Sequence, residues 1–321
     1  MNKKYIFNHN GMTEAELVFH SYLETRYPIH TVIETERYGL GKYLRKYGFY
    51  PSFLPILIHA DHGPNQWDYV TPHILSSTAD YFGFYSKRLL NDWKKKSKKK
   101  AILLKSPFVF YKQFSGTKKV SNANGSIFFH AHSTFWTDKE TDYELICQEF
   151  QRLPNEFHPI SICMHFVDVQ KGRHKIYIDK GFPVYTAGNW NHPFFIENFY
   201  EVIKNFKYSF SNSIGSNTFY CLDMGIPFSL IKGEPKLIND IDPNNIKHFT
   251  EHNQVKRCYE IIGYNINFSI NHLQYSLIQE ELGLDLGVSR LRLSKFLYIS
   301  YIKFQYRKFY SRLMSQLKKL F

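Results

Sequence analysis

Short apolar runs separated by small polar residues recur along the chain, and longer stretches between them carry apolar residues at helical spacing. In residues 1–50 the pattern mixes the two types, with Glu14 to Arg26 helical and Tyr27 to Ile33 extended. Phe53 to His59 reads as a buried strand leading into Ala60-Asp61-His62-Gly63-Pro64. Asp80 to Ser86 suits a strand, Lys87 to Lys95 a helix, and Ala101 to Leu104 another strand. Beyond a polar stretch from Ser115 to Gly125 the alternation is cleaner. Strands are expected at Ser126–His130, Pro159–Val167, Pro183–Ala187, Phe206–Phe210 and Phe228–Ile231. Helices are expected at Asp142–Arg152 and Phe194–Phe206, with a short one carrying Phe219, Leu222 and Met224.

Strands alternating with helices imply parallel sheets joined by right-handed crossovers, an α/β class. The small polar stretch is the best linker in the chain. The expected organisation is therefore a domain at residues 1–117, a linker at 118–125, a second domain at 126–285 and a tail at 286–321. Two such units, each Rossmann-like, would face each other with a ligand at the carboxyl ends of their strands.

Composition adds three constraints. With 321 residues, 43% of them apolar, including 29 Phe and 24 Tyr, the chain has ample material for packed cores. Four scattered cysteines, Cys147, Cys163, Cys221 and Cys258, form no CxxC pair and fit a reducing compartment. The first residues lack an apolar signal region, and no stretch is long and apolar enough to span a bilayer, so a cytoplasmic location is expected. The net charge of +13 is concentrated. Arg290 to Phe321 holds nine Lys or Arg and no Asp or Glu, interleaved with aromatics and leucines. Such a basic amphipathic helix suits the surface of an anionic membrane, which would place the protein peripherally on the inner face; packing on the chain's own body would give the same pattern. Lys94 to Lys100 is a second basic run. No helix-turn-helix, zinc finger or RNP-like strand accompanies the charge, so nucleic acid is not an expected partner.

The segment Ser211-Asn212-Ser213-Ile214-Gly215-Ser216-Asn217-Thr218, followed by Gly225-Ile226-Pro227, carries the most chemistry. A helix opening on Ser, Gly and Ser offers free N–H groups and hydroxyls at the positive end of its dipole, a setting for phosphate; the same residues also make an ordinary N-cap. Strand, small-residue turn, helix and "Gly-x-Pro" in this order resemble the donor-binding domain of GT-B-fold glycosyltransferases over roughly residues 126–235. The helix carries Thr218, Phe219 and Tyr220 where many UDP-using members place a Glu. A narrower resemblance is to bacterial sialyltransferases of this fold, through Asp61-His62-Gly63, His192-Pro193 and Ser211 to Ser216 in that order. Here His62 stands in place of a second acid.

The resemblance implies a transferase moving a sugar from a nucleotide-activated donor, a CMP-linked sialic-acid-like sugar in its narrower form, to a hydroxyl of a surface-glycan or lipid-linked acceptor. It implies His192, Ser211, Ser213, Gly215, Ser216 and Asn217 at the donor phosphate, Asp61 or His62 as base, and neither metal nor other cofactor. From the residues themselves, Asp61 and His62 follow a buried strand and precede a glycine that lets a ligand approach, as a base must; they also suit an ordinary turn. His192 could instead cap the helix near Phe194. His130-Ala131-His132-Ser133 and Asn189 are further candidates for substrate contact, and the His-x-His pair lacks a nearby carboxylate to complete a metal site. Asp240-Ile241-Asp242 reads as a solvated loop. A polyol-phosphate transferase of the same fold, a UDP-sugar epimerase-like enzyme and a non-enzymatic membrane scaffold are the alternatives.

Overall fold

The computed structural model describes residues 4–61, 63–64, 66–240, 252–286 and 288–317. It is a mixed α/β structure built on parallel sheets. β1 (Ile58–Ala60), β2 (Tyr81–Phe84) and β3 (Lys100–Leu103) form a three-stranded sheet in sequence order, all parallel. β4 (Ser126–Phe129), β6 (Ile160–Cys163), β7 (Val184–Tyr185), β8 (Tyr208–Ser211) and β9 (Phe228–Leu230) form a five-stranded parallel sheet in the order β7-β6-β4-β8-β9. β5 (Thr137–Glu140) pairs antiparallel with β10 (Lys236–Asp240) outside both sheets.

Burial on both faces explains why these strands read as continuous apolar runs. On β4, Ile127 and Phe128 are fully buried, with Phe128 in register with Ile162 on one side and Phe210 on the other. The helices carry their expected signals. Asp142 accepts the N–H of Leu145 ahead of the Tyr143–Arg152 helix. The Pro107–Ser115 helix opens on proline and stops at Gly116, whose φ of 65° a glycine adopts without strain.

Several expectations change. Tyr27 to Val32 is irregular, turning at Ile29-His30, with Thr31 and Val32 bonded to Ile56 rather than to a strand ladder, and Ile33 already begins a short helix, Ile33–Glu36. The first strand begins only at Ile58, because Pro55 has no N–H to give a ladder. In the stretch 118–125, Val120 and Asn124 donate to the carbonyls of Lys204 and Asn205, in the turn ahead of β8. Residues 241–251, which include Ile241 and Asp242, lie outside the described residues.

Two helices join the sheets. Leu40–Tyr47 packs on Pro107–Ser115, with Tyr47 stacked on Phe110 at 3.9 Å. Phe108 then stacks face to face on Tyr220 of the Ser216–Asp223 helix, 4.0 Å apart and 6° from parallel. One continuous apolar core runs through both, and a smaller one surrounds Trp93. Residues 252–286 return to the first sheet. Asp68 accepts the N–H groups of Asn253 and Gln254, Arg88 Nη2 donates to both carboxylate oxygens of Glu281, and Ser106 N–H donates to the carbonyl of Leu282.

Phe108 is the apolar link between the two sheets. Phe108→Ala is expected to lower stability by about 3–5 kcal/mol, the usual cost of emptying an aromatic site in a core. Urea unfolding should show this as a lower midpoint.

Candidate functional site

The strands of a parallel sheet end on one edge, and helices that follow them start there. In the five-stranded sheet the chain first leaves β4 to one side, through β6 and β7, and then returns to the other, through β8 and β9. The crevice between β4 and β8 is therefore the topological switch point, where loops diverge and leave room for a ligand. A cavity of about 460 Å³ lies there, lined by the segments that follow β4, β6, β7 and β8, with Arg37, Tyr38 and Phe108 closing it from the first part of the chain.

The Ser216–Asp223 helix points its amino end into this space, and Ser213, Gly215, Ser216 and Asn217 line it. The hydroxyls of Ser213 and Ser216 have no intramolecular partner among the described residues, and the Asn217 Nδ2 is buried without one. Ser211 also lines the cavity, yet its hydroxyl is engaged, donating to the Phe129 carbonyl at 2.7 Å and accepting the N–H of Ser213. Asn212 completes the latch between strand ends, accepting the N–H of Ala131 and donating to the Gly233 carbonyl.

His130 and His132 both line the cavity, with different chemistry. His130 is stacked on Tyr143 and its Nδ1 meets the Tyr177 hydroxyl at 3.0 Å. Burial, with Arg173 adding, pushes its pKa down to about 3, so the ring is neutral. His132 is exposed and stacks on His165 at 4.1 Å. Its Nδ1 bonds the Ser133 carbonyl, which can only accept. The Nδ1 therefore carries a proton.

Three expected contacts serve the fold instead. His192 does not line the cavity: its Nδ1 accepts the Phe194 N–H and its Nε2 lies 2.9 Å from His20 Nδ1. The proton is thus on Nε2, and burial first, His20 second, holds the pKa down at about 3. His192 thus holds the chain just ahead of the Phe195–Ile203 helix, without capping any N–H inside it. Asn189 accepts the N–H of Asn191 and donates to the Ser21 carbonyl. Ser133 is fully buried, its N–H given to Asp168 and its hydroxyl to Asp138. Arg173 ties these together by reaching Ser133, Asp168 and Asp138, with Lys171 on Asp138 as well. These hydrogen bonds hold the Asp138 carboxyl well below the usual range and fix the loop after β4.

Asp61 follows β1 and stands apart from the cavity lining, with its backbone carbonyl accepting the Tyr85 hydroxyl at 2.6 Å. Its neighbour His62 lies outside the described residues. The turn nevertheless faces the donor helix closely. A Cβ placed on Gly63 would stand 2.4 Å from Ser216 Oγ, so any larger residue there would have to turn the serine hydroxyl aside. The carboxyl edge of β1 and the amino end of the Ser216–Asp223 helix are thus in contact.

Sequence reasoning missed two cations that line the cavity. Burial lowers the pKa of Lys139, Asp168 partly offsetting it, because Asp168 is already paired with Arg173. Arg37 lies over the Trp190 ring at 4.4 Å, and its Nε is buried without a hydrogen bond. Neither makes an ion pair among the described residues. Lys139 sits in a polar run, Thr137 to Glu140, that reads as solvated, and no local signal marks either residue. Phe135, Trp136 and Trp190 form an aromatic cluster at the same place, Trp190 lying 5.2 Å from Phe135 and 6.0 Å from Trp136. Among the described residues no three His, Cys, Asp or Glu side chains gather as metal ligands.

No protein-family model matches the chain, and no curated protein matches it. Among solved structures, the wall teichoic acid polymerase TagF in a substituted form soaked with CDPG is similar at a TM-score of 0.36 and 10% identity, over 95% of this chain and 68% of that one. A second TagF structure gives 0.33 and 11%, over 76% and 62%. Similarity of this size carries no argument about activity.

His130 and His192 are held neutral by burial, with pKa values near 3 against an ordinary 6.5. The unfolded chain takes up these protons first as the pH falls, so their contribution is complete above about 6.5 and is lost between about 6.5 and 3. Melting temperature should decline across that window, and His130→Gln should make the decline shallower.

Proposed function

We propose that the protein is a transferase of the GT-B type, moving a glycosyl or polyol-phosphate group from a nucleotide-activated donor to an acceptor hydroxyl. The observation that carries this reading is the cavity at the switch point of the five-stranded sheet, where a helix amino end meets two cations that have no ion-pair partner among the described residues. Helix N–H groups, the hydroxyls of Ser213 and Ser216, and the charges of Lys139 and Arg37 would hold the donor's phosphates. The aromatic cluster around Trp190 would stack a flat base or the apolar face of a sugar. In this reading residues 1–117 form the acceptor side and 126–285 the donor side. A CMP-sugar donor has less support than the broader class, since His192 does not line the cavity.

In the reaction, the acceptor oxygen forms a bond to the transferred group while that group's bond to the phosphate oxygen breaks, leaving the electron pair on the phosphate. The cations and helix dipole stabilise that developing charge, which in a desolvated site counts for more than in water. The acceptor proton goes to a base. Asp61, beside the Gly63–Ser216 contact and on the acceptor side, fills this role.

Each of CMP, CDP, UDP and GDP tests the donor site, since a ligand held only by the folded state raises its melting temperature. At least one should do so. Ser213→Ala with Ser216→Ala, and separately Lys139→Ala, should weaken that nucleotide's binding by about tenfold or more in calorimetry while the protein stays folded, the scale of one lost charge-assisted contact. Unchanged affinity in both variants would remove the donor site from this cavity.

Asp61→Ala should lower turnover by roughly 100-fold or more, the scale of general-base catalysis, with donor affinity nearly unchanged. If turnover persists, the His130/His132 pair is the next to test.

A further inference from the structure

The Arg290–Leu317 helix has two apolar faces, and only one is used by the body of the protein. Leu293 and Leu297 are fully buried and Ser300 nearly so. A Cβ on Gly48 would meet Leu297 at 2.7 Å, Tyr298 packs on Tyr50, and Phe304 lies 5.2 Å from His30. Positions 293, 297, 300 and 304 follow helical spacing and form the docking face.

The second face consists of Ile302, Tyr306, Phe309, Tyr310, Leu313 and Leu317, each between 41% and 67% exposed. At about 100° per residue this stripe is centred roughly 150° from the docking face, so it points away from the body. Lys303 and Arg307 flank it on one side and Arg312 on the other, with no acidic residue from Arg290 to the end of the sequence.

The fold adds a second basic segment to the first. Lys303 lies over the Tyr81 ring and Arg307 pairs with Asp80, at the amino end of β2. Tyr81 is in register with Lys100 of β3. The run Lys94 to Lys100 therefore meets the terminal helix at the amino edge of the first sheet, opposite the edge that carries Asp61. Lys95 and Lys98 in that run are exposed.

We propose that this stripe and the adjoining lysine run form one docking surface for an anionic lipid bilayer, on which the helix lies with its aromatic face in the interface. Charge selects this occupant. Anionic headgroups complement both basic segments, whereas pairing the stripe with a second copy would bring two such helices together without an acid on either to offset the repulsion. Flanking Lys and Arg stems can lie along the apolar layer with their charges in the headgroups. The surface is separate from the transferase reading and stands or falls without it.

The test is co-sedimentation of the full chain with vesicles of equal parts phosphatidylglycerol and phosphatidylcholine, against pure phosphatidylcholine. The protein should bind the anionic vesicles, and Phe309→Ser with Leu313→Ser should weaken binding by about tenfold or more at an unchanged melting temperature. Lys95→Glu with Lys98→Glu should weaken it as well, since each Lys near an anionic surface is worth about fivefold. This second variant touches no apolar contact and decides the matter if the first fails to fold. Wild-type protein that stays free of the anionic vesicles, or variants that bind as the wild type does, would overturn the proposal. So would a concentration-dependent dimer by light scattering that the stripe substitutions dissolve, which would make the stripe a contact between copies.

Discussion

Phe108 against Tyr220 is the contact on which the arrangement of both sheets depends. A stacked aromatic pair adds only about 0.5–1.5 kcal/mol to the burial of its surfaces, so its importance lies in position. Phe108 belongs to the helix that packs on Leu40–Tyr47, and Tyr220 to the helix whose amino end enters the cavity. Fixing those two rings fixes the distance between the turn at Gly63 and the hydroxyl of Ser216. A shift of even a methyl's width there would either open the contact or displace the serine hydroxyl, because a Cβ on Gly63 would already stand 2.4 Å from it.

The site pays a stability cost for its charge. A lysine and an arginine lie partly desolvated without a carboxylate partner, while nearby Arg173 takes two aspartates. Segregating the acids around Arg173 orders the loop after β4 and leaves the cavity positive. Uncompensated buried charge is unfavourable in a structural core, and such a departure from local consistency is expected where a ligand supplies the missing partner.

Much of the second sheet was legible in the sequence because its strands are buried on both faces, so apolar runs such as Ser126–His130 and Phe206–Phe210 stand out between polar turns. The turn from Ser213 to Asn217 was legible for the same local reason. The first part of the chain was harder, since Pro55 shortens β1 to three residues and Thr31 and Val32 bond to Ile56 without forming a ladder. The partners of His192 and Lys139 were not legible at all. His192 meets His20, 172 positions away, and the acid nearest in charge to Lys139, Asp168, is paired with Arg173, which no spacing reveals. A histidine before a proline and a lysine in a polar run look alike whether they meet solvent, a ligand or another side chain.

The return of residues 252–286 to the first sheet also bears on how the chain comes into being. On the ribosome, the segment holding β1, β2 and β3 emerges early, yet Ser106 waits for the carbonyl of Leu282 and Arg88 for the carboxylate of Glu281. Contacts of such long sequence separation form late. The strands of the five-stranded sheet lie between residues 126 and 230 and are all synthesised before that point, with only the outer strand β9 still to gain its bonds to Gly263 and Asn267. The nascent chain therefore has its middle in position to fold before its beginning is complete, and the early segment spends that interval with the surface meant for Leu282 still open to chaperones.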